Sequence, residues 1–350
     1  MSNFVVDVEA VSVFEEQMRR CKVKPGEMVV VLNCAGEQVS HVNALTVAIQ
    51  RLGAQTMNIS VPRDKALAAG VQGQHPLVGH TLALETCKKA DMVIDLMGLL
   101  FSREQLEIQA AGTRILRVME PLHVLKQMEP TEDHRRRCEF GRDLILKSKV
   151  MHITSSAGTD VRYGLSQYTA IAEYGYTDEP GRWDHFPSGF VFTQGNDDQV
   201  DGTVVLSPGD IICAFKRYVE KPVTFAIEKG YITEICGDGL DALMIRNYIE
   251  SFNDSRGYAV AHIGFGLNER ARWHQFASSR YSASEHVMNA LSFYGNVLFS
   301  TGPNSEFGGK NDTPCHMDLP MRGCSLWLDD VQVLEKGRVV HPELRAPGYP

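Results

Sequence analysis

The chain has no sequence signal of a secreted, membrane-spanning or disulfide-stabilised protein. Its eight cysteines are scattered through 350 residues without a Cys-x-x-Cys spacing, which argues against both a disulfide framework and a zinc ribbon. No uncharged apolar stretch approaches the roughly 18 residues that indicate a membrane span, and the N-terminus has neither the basic nor the apolar region of a signal peptide. We therefore expect a soluble, cytoplasmic protein with reduced thiols.

Signals of several common functions are also missing. The formal net charge is −8, and the only basic run is Arg135 to Arg137, which argues against nucleic-acid binding. Asn33-Cys-Ala-Gly-Glu37 follows the first predicted strand in place of Gly-x-Gly-x-x-Gly, so dinucleotide binding is not supported. Gly-x-Ser-x-Gly, P-loop and His-Glu-x-x-His motifs are absent as well, which removes the commonest serine-hydrolase, nucleotide and zinc-protease interpretations.

Two hydrophobic patterns divide the chain. The first half alternates apolar strands with amphipathic helices, which predicts a doubly wound, mostly parallel sheet covered on both faces; the predicted strands lie at 28–33, 55–61, 92–96, 115–118 and 150–154. The second half has short strands and hairpins, one with its turn at Gly230, and a helix predicted at 239–251. At this length two domains are expected: an N-terminal α/β domain, 1–155, and a β-rich α+β domain, 156–350.

His316 and Asp318, in Thr-Pro-Cys-His-Met-Asp-Leu-Pro, form the most informative pair. On an extended strand, positions i and i+2 point to the same face and can bind one metal ion. His262 is the candidate third ligand, because it interrupts an apolar run and a buried imidazole needs a partner. Two imidazoles and one carboxylate are the ligand set of non-haem Fe(II) oxygenases. The residues alone leave a hydrogen-bonded surface pair and a satisfied core histidine open. The α+β domain would carry this metal site.

Two loops are further candidates. His185 lies in the segment 178–189, which combines turn formers with charged and aromatic residues. Long irregular loops often carry function, and an imidazole can transfer protons at neutral pH; a hydrogen bond that stabilises the loop is the alternative. The glycine- and hydroxyl-rich segment 299–310 is predicted to line the same pocket as His316, with a plain turn as the alternative. Gly264 and Gly266 indicate a close backbone approach beside His262.

Four long segments resemble 2,5-dihydroxypyridine 5,6-dioxygenase of bacterial nicotinic acid degradation, and the likeness extends over nearly the whole chain; they are 173–185, 261–267, 293–304 and 313–320. The resemblance implies an extradiol-type enzyme that opens 2,5-dihydroxypyridine between ring carbons 5 and 6 with O2 and gives N-formylmaleamic acid. It also implies a homo-oligomer, with a hexamer as one candidate.

The resemblance implies specific residue roles. Fe(II) would be bound by His262, His316 and Asp318, and His185 would assist proton transfer and hold the substrate. The implied substrate contacts are Phe101, Glu173, Ser300 and Thr301. Phe101 stands where a member of the family has a histidine; phenylalanine cannot transfer protons but can stack on an aromatic ring. A differently substituted hydroxypyridine is therefore an alternative substrate.

The fold implied by this resemblance is similar to that of the thermophilic metallo-aminopeptidases. A metallo-aminopeptidase-like hydrolase is therefore the second alternative function. Matching the segments places His262 where those enzymes use a glutamate, and Asn296 near a position where they use a histidine. The resemblance thus implies that a one-iron site stands in place of the two-metal peptidase site.

Overall fold

A computed structural model describes residues 6–63, 75–100, 102–278 and 285–349. The chain folds into two compact units: the first combines Met1–Pro130 with Gly175–Ser188, and the second combines Thr131–Tyr174 with Gly189–Pro350. In the described part of the chain, no helix is long and apolar enough to cross a membrane.

The first unit is a parallel sheet with helices in the connections between its strands. Numbered along the chain, its elements are α1 Val8–Arg20, β1 Met28–Cys34, α2 Val39–Arg51, β2 Gln55–Val61, α3 Thr81–Lys89, β3 Met92–Asp95, α4 Arg103–Ala110, β4 Arg114–Arg117, α5 Leu122–Gln127 and β8 Trp183–His185. The strand order is β2-β1-β3-β4-β8, and every pairing is parallel. The central strands β1 and β3 are almost wholly buried, as expected of strands covered on both faces. The predicted doubly wound sheet is confirmed.

The second unit is dominated by antiparallel strands, as predicted. Its helices and strands are α6 Glu132–Lys147, β5 Val150–Thr154, β6 Asp160–Gly164, β7 Ala170–Glu173, β9 Phe190–Gln194, β10 Val200–Leu206, β11 Ile211–Ile212, β12 Arg217–Tyr218, β13 Val223–Glu228, β14 Tyr231–Cys236, α7 Leu240–Ser251, β15 Val260–Gly266, α8 Val287–Leu291, β16 Val297–Thr301, β17 Met317–Met321, β18 Ser325–Leu328, β19 Val331–Glu335 and β20 Arg338–Val339. Among the described residues these strands form three sheets, with the orders β14-β13-β10-β6-β5-β18-β19-β20, β17-β16-β15-β9-β7 and β11-β12.

The bounds of these units differ from the predicted division at residue 155. The strand β5 pairs antiparallel with β6 and β18, although its position after a helix suggests a further parallel strand. The helix α6 belongs to the same unit, where Gly141 lies against Val191 and Phe265. Conversely, β8 follows residue 155 but pairs in parallel with β4. Local periodicity identifies a strand, whereas its partner depends on the path of the chain.

The sheet β17-β16-β15-β9-β7 positions the candidate site. Every residue of β9, β15 and β16 is buried, so both faces of these strands are covered. A polar side chain on such a strand is desolvated and needs a partner.

Candidate metal centre

His262, His316 and Asp318 lie together at one end of this sheet. Their potential ligand atoms are all within 4.8 Å of one another. His262 Nε2 is 3.0 Å and His316 Nε2 is 3.3 Å from the same oxygen, Asp318 Oδ1. The structure therefore brings together the three residues that the sequence singles out, from positions up to 56 residues apart.

Three neighbouring strands create this convergence. Asp318 lies in β17 opposite Ser300 of the central strand β16, and His316 immediately precedes β17. On the other side of β16, the register of β15 shifts between Val260 and Ile263. His262 lies within this irregularity, and such bulges commonly re-aim a side chain.

The glycines that follow His262 allow β15 to approach its neighbours closely, as the sequence indicates. A Cβ on Gly264 would collide with the carbonyl oxygen of Val191 in β9, and one on Gly266 would collide with the carbonyl oxygen of Phe293. Any larger residue would therefore push β15 away from these segments.

Each imidazole is held at Nδ1, on the side away from Asp318. His316 Nδ1 lies 3.0 Å from the carbonyl oxygen of Thr301; a carbonyl oxygen can only accept, so Nδ1 carries the proton. His262 Nδ1 lies 2.9 Å from Glu306 Oε1. These contacts direct both Nε2 atoms toward Asp318, which is the arrangement that metal-binding histidines adopt. Glu306 is not among the residues predicted from the sequence, although it lies inside the predicted pocket segment 299–310.

The charges in this cluster are strongly coupled. Burial lowers the pKa of His262, but the carboxylates of Glu306 and Asp318 outweigh it and raise that pKa to about 10. Burial raises the pKa of Asp318, but the two imidazoles outweigh it and hold that pKa well below its usual range. Burial raises the pKa of Glu306, and His262 opposes that effect only in part. With that pKa, His262 is protonated on both nitrogens at neutral pH when no cation is bound. A divalent cation would replace the proton on its Nε2 and would then meet two imidazole nitrogens and an ionised carboxylate, a donor set that suits such an ion.

Comparison with known proteins identifies the family. A family model described as 2,5-dihydroxypyridine 5,6-dioxygenase matches residues 9–341. The chain belongs to this dioxygenase family. A curated relative, 2,5-dihydroxypyridine 5,6-dioxygenase of Pseudomonas putida strain KT2440, is 43% identical over 346 residues, which are 97% of this chain and 98% of the relative.

Solved structures agree with this membership. The structure of the 2,5-dihydroxypyridine dioxygenase from Pseudomonas putida KT2440 matches with a TM-score of 0.91 at 43% identity, covering 96% of this chain and 98% of that one. Wild-type AmpT from Thermus thermophilus matches with a TM-score of 0.60 at 14% identity, covering 95% and 99%. The second likeness shows the fold alone, and it confirms the predicted relationship to the aminopeptidase fold.

The predicted substrate-contact residues of this dioxygenase-family chain lie in different places. Ser300 donates from Oγ to the carbonyl oxygen of His262 at 2.7 Å, so it supports the backbone of a candidate ligand. Thr301 reaches His316 through its carbonyl, while its Oγ1 is buried without a hydrogen bond to any described residue. Glu173 is buried at the end of β7, on the edge of the same sheet. Phe101 lies outside the described residues. Substrate contact by these residues stays a prediction.

His185 belongs to the first unit, as the last residue of β8. It is 8% exposed, and its ring packs edge-on against Trp183 with the centroids 4.7 Å apart. In open parallel sheets, ligands bind outside the carboxyl ends of the strands, and this is the end at which His185 stands. The loop after β3 leaves the same end, where Asp95 accepts the N–H groups of Met97, Gly98 and Leu99.

Asn296, which the resemblance places near a metal-binding histidine of the aminopeptidases, forms side-chain hydrogen bonds to the backbone in this chain. Its Oδ1 accepts the N–H of Gly266 at 2.7 Å, and its Nδ2 donates to the carbonyl of Ala290 at 2.6 Å. The amide is thus engaged with backbone groups on both sides. Within the ranges that the structure describes, His262, His316 and Asp318 form the one cluster with metal-binding geometry.

Proposed function

We propose that this chain is a 2,5-dihydroxypyridine 5,6-dioxygenase that opens the ring between C5 and C6 with O2 and gives N-formylmaleamic acid. The observation that supports this proposal best is a cluster of two imidazoles and one carboxylate whose potential ligand atoms lie within 4.8 Å of one another. The cluster occurs in a chain that belongs to this enzyme family. The reaction adds both atoms of O2 to the ring carbons, so one O2 is consumed for each ring opened.

The proposed cofactor is Fe(II), held by His262, His316 and Asp318. Two histidines and one carboxylate on one face leave coordination positions open, and this ligand set is typical of non-haem Fe(II) oxygenases. When bound, Fe(II) would supply redox chemistry toward O2 and acidity to a coordinated hydroxyl group. The buried strands around the cluster exclude water, which strengthens the electrostatic interactions inside.

His185 is the proposed proton-transfer residue. Its position at the carboxyl end of a parallel strand supports this role, since ligands of open α/β sheets bind at that edge. Its imidazole would accept the proton of a ring hydroxyl and return it as the ring opens. Glu173, Ser300 and Thr301 are the proposed substrate contacts. A differently substituted hydroxypyridine is the alternative substrate, because phenylalanine stands at position 101.

Two wider properties belong to the same proposal. The protein would be cytoplasmic, which fits eight cysteines that all remain free thiols. It would assemble as a homo-oligomer, with a hexamer as the candidate drawn from the family resemblance. Sedimentation velocity measures the oligomeric state directly.

The first test is oxygen uptake by anaerobically Fe(II)-loaded protein when 2,5-dihydroxypyridine is added. We expect one O2 to be consumed for each ring opened. The rate of oxygen uptake should fall at least 100-fold in His316→Ala and in Asp318→Ala, because each variant lacks one of the three proposed metal ligands. His152→Ala is the matched control, since His152 pairs with Asp160 in the other large sheet of the unit.

The outcomes separate the alternatives. Full activity in either ligand variant would exclude the proposed metal centre. Uptake with another hydroxypyridine but not with the 2,5-isomer would reassign the substrate and retain the chemistry. Cleavage of a leucyl peptide by the zinc-loaded protein, without oxygen uptake, would replace the dioxygenase by a hydrolase.

A further inference from the structure

We propose that Glu306 is a positioning residue of the metal centre, which orients His262 and strengthens it as a ligand through a hydrogen bond to Nδ1. This inference rests on the proposed metal site and adds a residue to it. Glu306 is not in the predicted ligand set, and its own contact is with the far side of the imidazole, 2.9 Å from Nδ1.

The buried carboxylate of Glu306 has His262 as its hydrogen-bond partner. Its side chain is 8% exposed, and burying a carboxylate is costly unless a partner compensates. Oε1 contacts His262, whereas Oε2 is buried without a hydrogen-bond partner among the described residues. Among the described residues the carboxylate therefore makes one hydrogen bond, and its partner is the candidate ligand His262.

The consequence for the imidazole follows from its two nitrogens. When Nδ1–H donates to the carboxylate, the neutral ring must present the lone pair of Nε2. Nε2 of His262 is the nitrogen that faces Asp318 Oδ1, at 3.0 Å. A carboxylate acceptor also makes the ring a stronger electron donor than an unbonded imidazole. Glu306 thus selects the tautomer that can bind a cation and raises its basicity.

The two candidate histidine ligands differ in this respect. Nδ1 of His316 is held by a backbone carbonyl, that of Thr301 at 3.0 Å, which carries only a partial charge. Nδ1 of His262 is held by a full carboxylate. We therefore infer that the two nitrogen ligands are unequal, and that His262 is the stronger donor because of Glu306.

The surrounding loop delivers Glu306 in a defined position. Glu306 lies in a short 3-10 helix, Ser305–Phe307. The next residue, Phe307, packs edge-on against Phe192 of β9 with the ring centroids 5.7 Å apart, and Phe192 packs against His262 at 5.3 Å. One side of the loop is closed by Asn304, whose Oδ1 accepts the N–H of Asn311 at 2.9 Å. The same loop thus contacts His262 at Nδ1 through Glu306, and through Phe307 it packs against the aromatic ring that borders His262.

The test is the affinity for Co(II), measured anaerobically by competition with a chelator of known affinity. We expect binding to weaken about 10–100-fold in Glu306→Ala and about 10-fold in Glu306→Gln, which keeps the shape and an acceptor but loses the charge. The visible absorption bands of bound Co(II) should shift in both variants, since the ligand strength of His262 changes. Glu250→Gln is the matched control, because Glu250 is an exposed residue of α7 in the same unit. This variant should bind Co(II) with the affinity of the wild type.

Each outcome decides the inference. Wild-type affinity and an unshifted spectrum in folded Glu306→Ala would overturn the positioning role. If Glu306→Ala does not fold, the same two measurements on the near-isosteric Glu306→Gln decide it in the same way. A wild-type protein that binds neither Co(II) nor Fe(II) would instead remove the proposed metal site itself, so failure of this inference and failure of the proposed function are distinguishable.

Discussion

Two imidazoles of the second unit are buried in opposite electrostatic surroundings. His262 faces carboxylates, and its pKa is raised to about 10. His134, at the start of α6, lies in an arginine-rich environment, and burial followed by the charges of Arg137 and Arg270 lowers its pKa to about 3. Its Nε2 faces Gly189 and has no hydrogen-bond partner among the described residues. At the residue scale, the neighbouring charges decide which buried histidine is cationic in the metal-free protein.

The lowered pKa of His134 predicts that the free energy of unfolding falls in acid. Its folded-state pKa is below the unfolded value of about 6.5, so the unfolded chain takes up a proton that the folded chain refuses. The contribution of His134 to the free energy of unfolding is fully present above pH 6.5. It declines as the pH falls toward 3, by up to ~1.4 kcal/mol per pH unit. Urea unfolding from pH 7 to pH 4 should show a shallower decline in His134→Gln than in the wild type. Parallel pH profiles for the two proteins would contradict this assignment.

At the scale of elements, the metal centre depends on how closely three strands approach one another. β15 lies between β9 and β16, and Gly264 leaves no room for a side chain, because a Cβ there would also lie 2.7 Å from the Cβ of Phe192. His262 is two residues away on the same strand. The spacing of these strands therefore sets the position of a candidate ligand.

Gly264→Ala should damage both stability and metal binding. Overpacking between paired strands costs typically ~1–3 kcal/mol, and the displaced β15 would carry His262 away from Asp318. Gly158→Ala is the matched control: Gly158 has φ +110° in the turn between β5 and β6, where a Cβ would lie 3.6 Å from Val205. That change should cost ~1–2 kcal/mol from backbone strain alone. Denaturant unfolding and Co(II) affinity are the measurements, and unchanged Co(II) binding in folded Gly264→Ala would show that the strand spacing does not control the site.

At the scale of the whole molecule, the candidate ligands all belong to the second compact unit. An ion that binds only the folded form stabilises that form, by ~2.7 kcal/mol when the free ion is at 100 times its Kd. The ion would tie β15 to β17 across β16, in a sheet that otherwise holds together through backbone hydrogen bonds and packing. The second unit should therefore respond to metal removal directly.

Chelation should lower the thermal unfolding temperature of the metal-loaded protein by roughly 5–10 °C, as expected for a unit of this size class. Differential scanning calorimetry with and without chelator measures the shift. Asp318→Ala should show no difference between the two conditions. An equal shift in wild type and Asp318→Ala would place the stabilising ion elsewhere in the protein.

Local signals in the sequence account for most of the secondary structure. The predicted strand at 55–61 coincides with β2, and the predicted helix at 239–251 matches α7 within one residue. The hairpin at Gly230 also forms between β13 and β14, since turn chemistry and two-residue alternation act over a few residues. α1 was not among the predicted elements, although Asp7 caps it by accepting the N–H of Glu9 at 2.9 Å and an apolar stripe lines its buried face.

The sequence by itself determined the chemistry available to this protein: two imidazoles and a carboxylate in recognisable motifs, and the alternation that builds each sheet. The tertiary structure decided which residues meet. β8 joins the parallel sheet from beyond residue 155, and Glu306 reaches His262 across 44 residues of chain. Both contacts depend on the path of the backbone between distant segments, and a side-chain pattern that repeats every 2 or about 3.6 residues carries no information about that path.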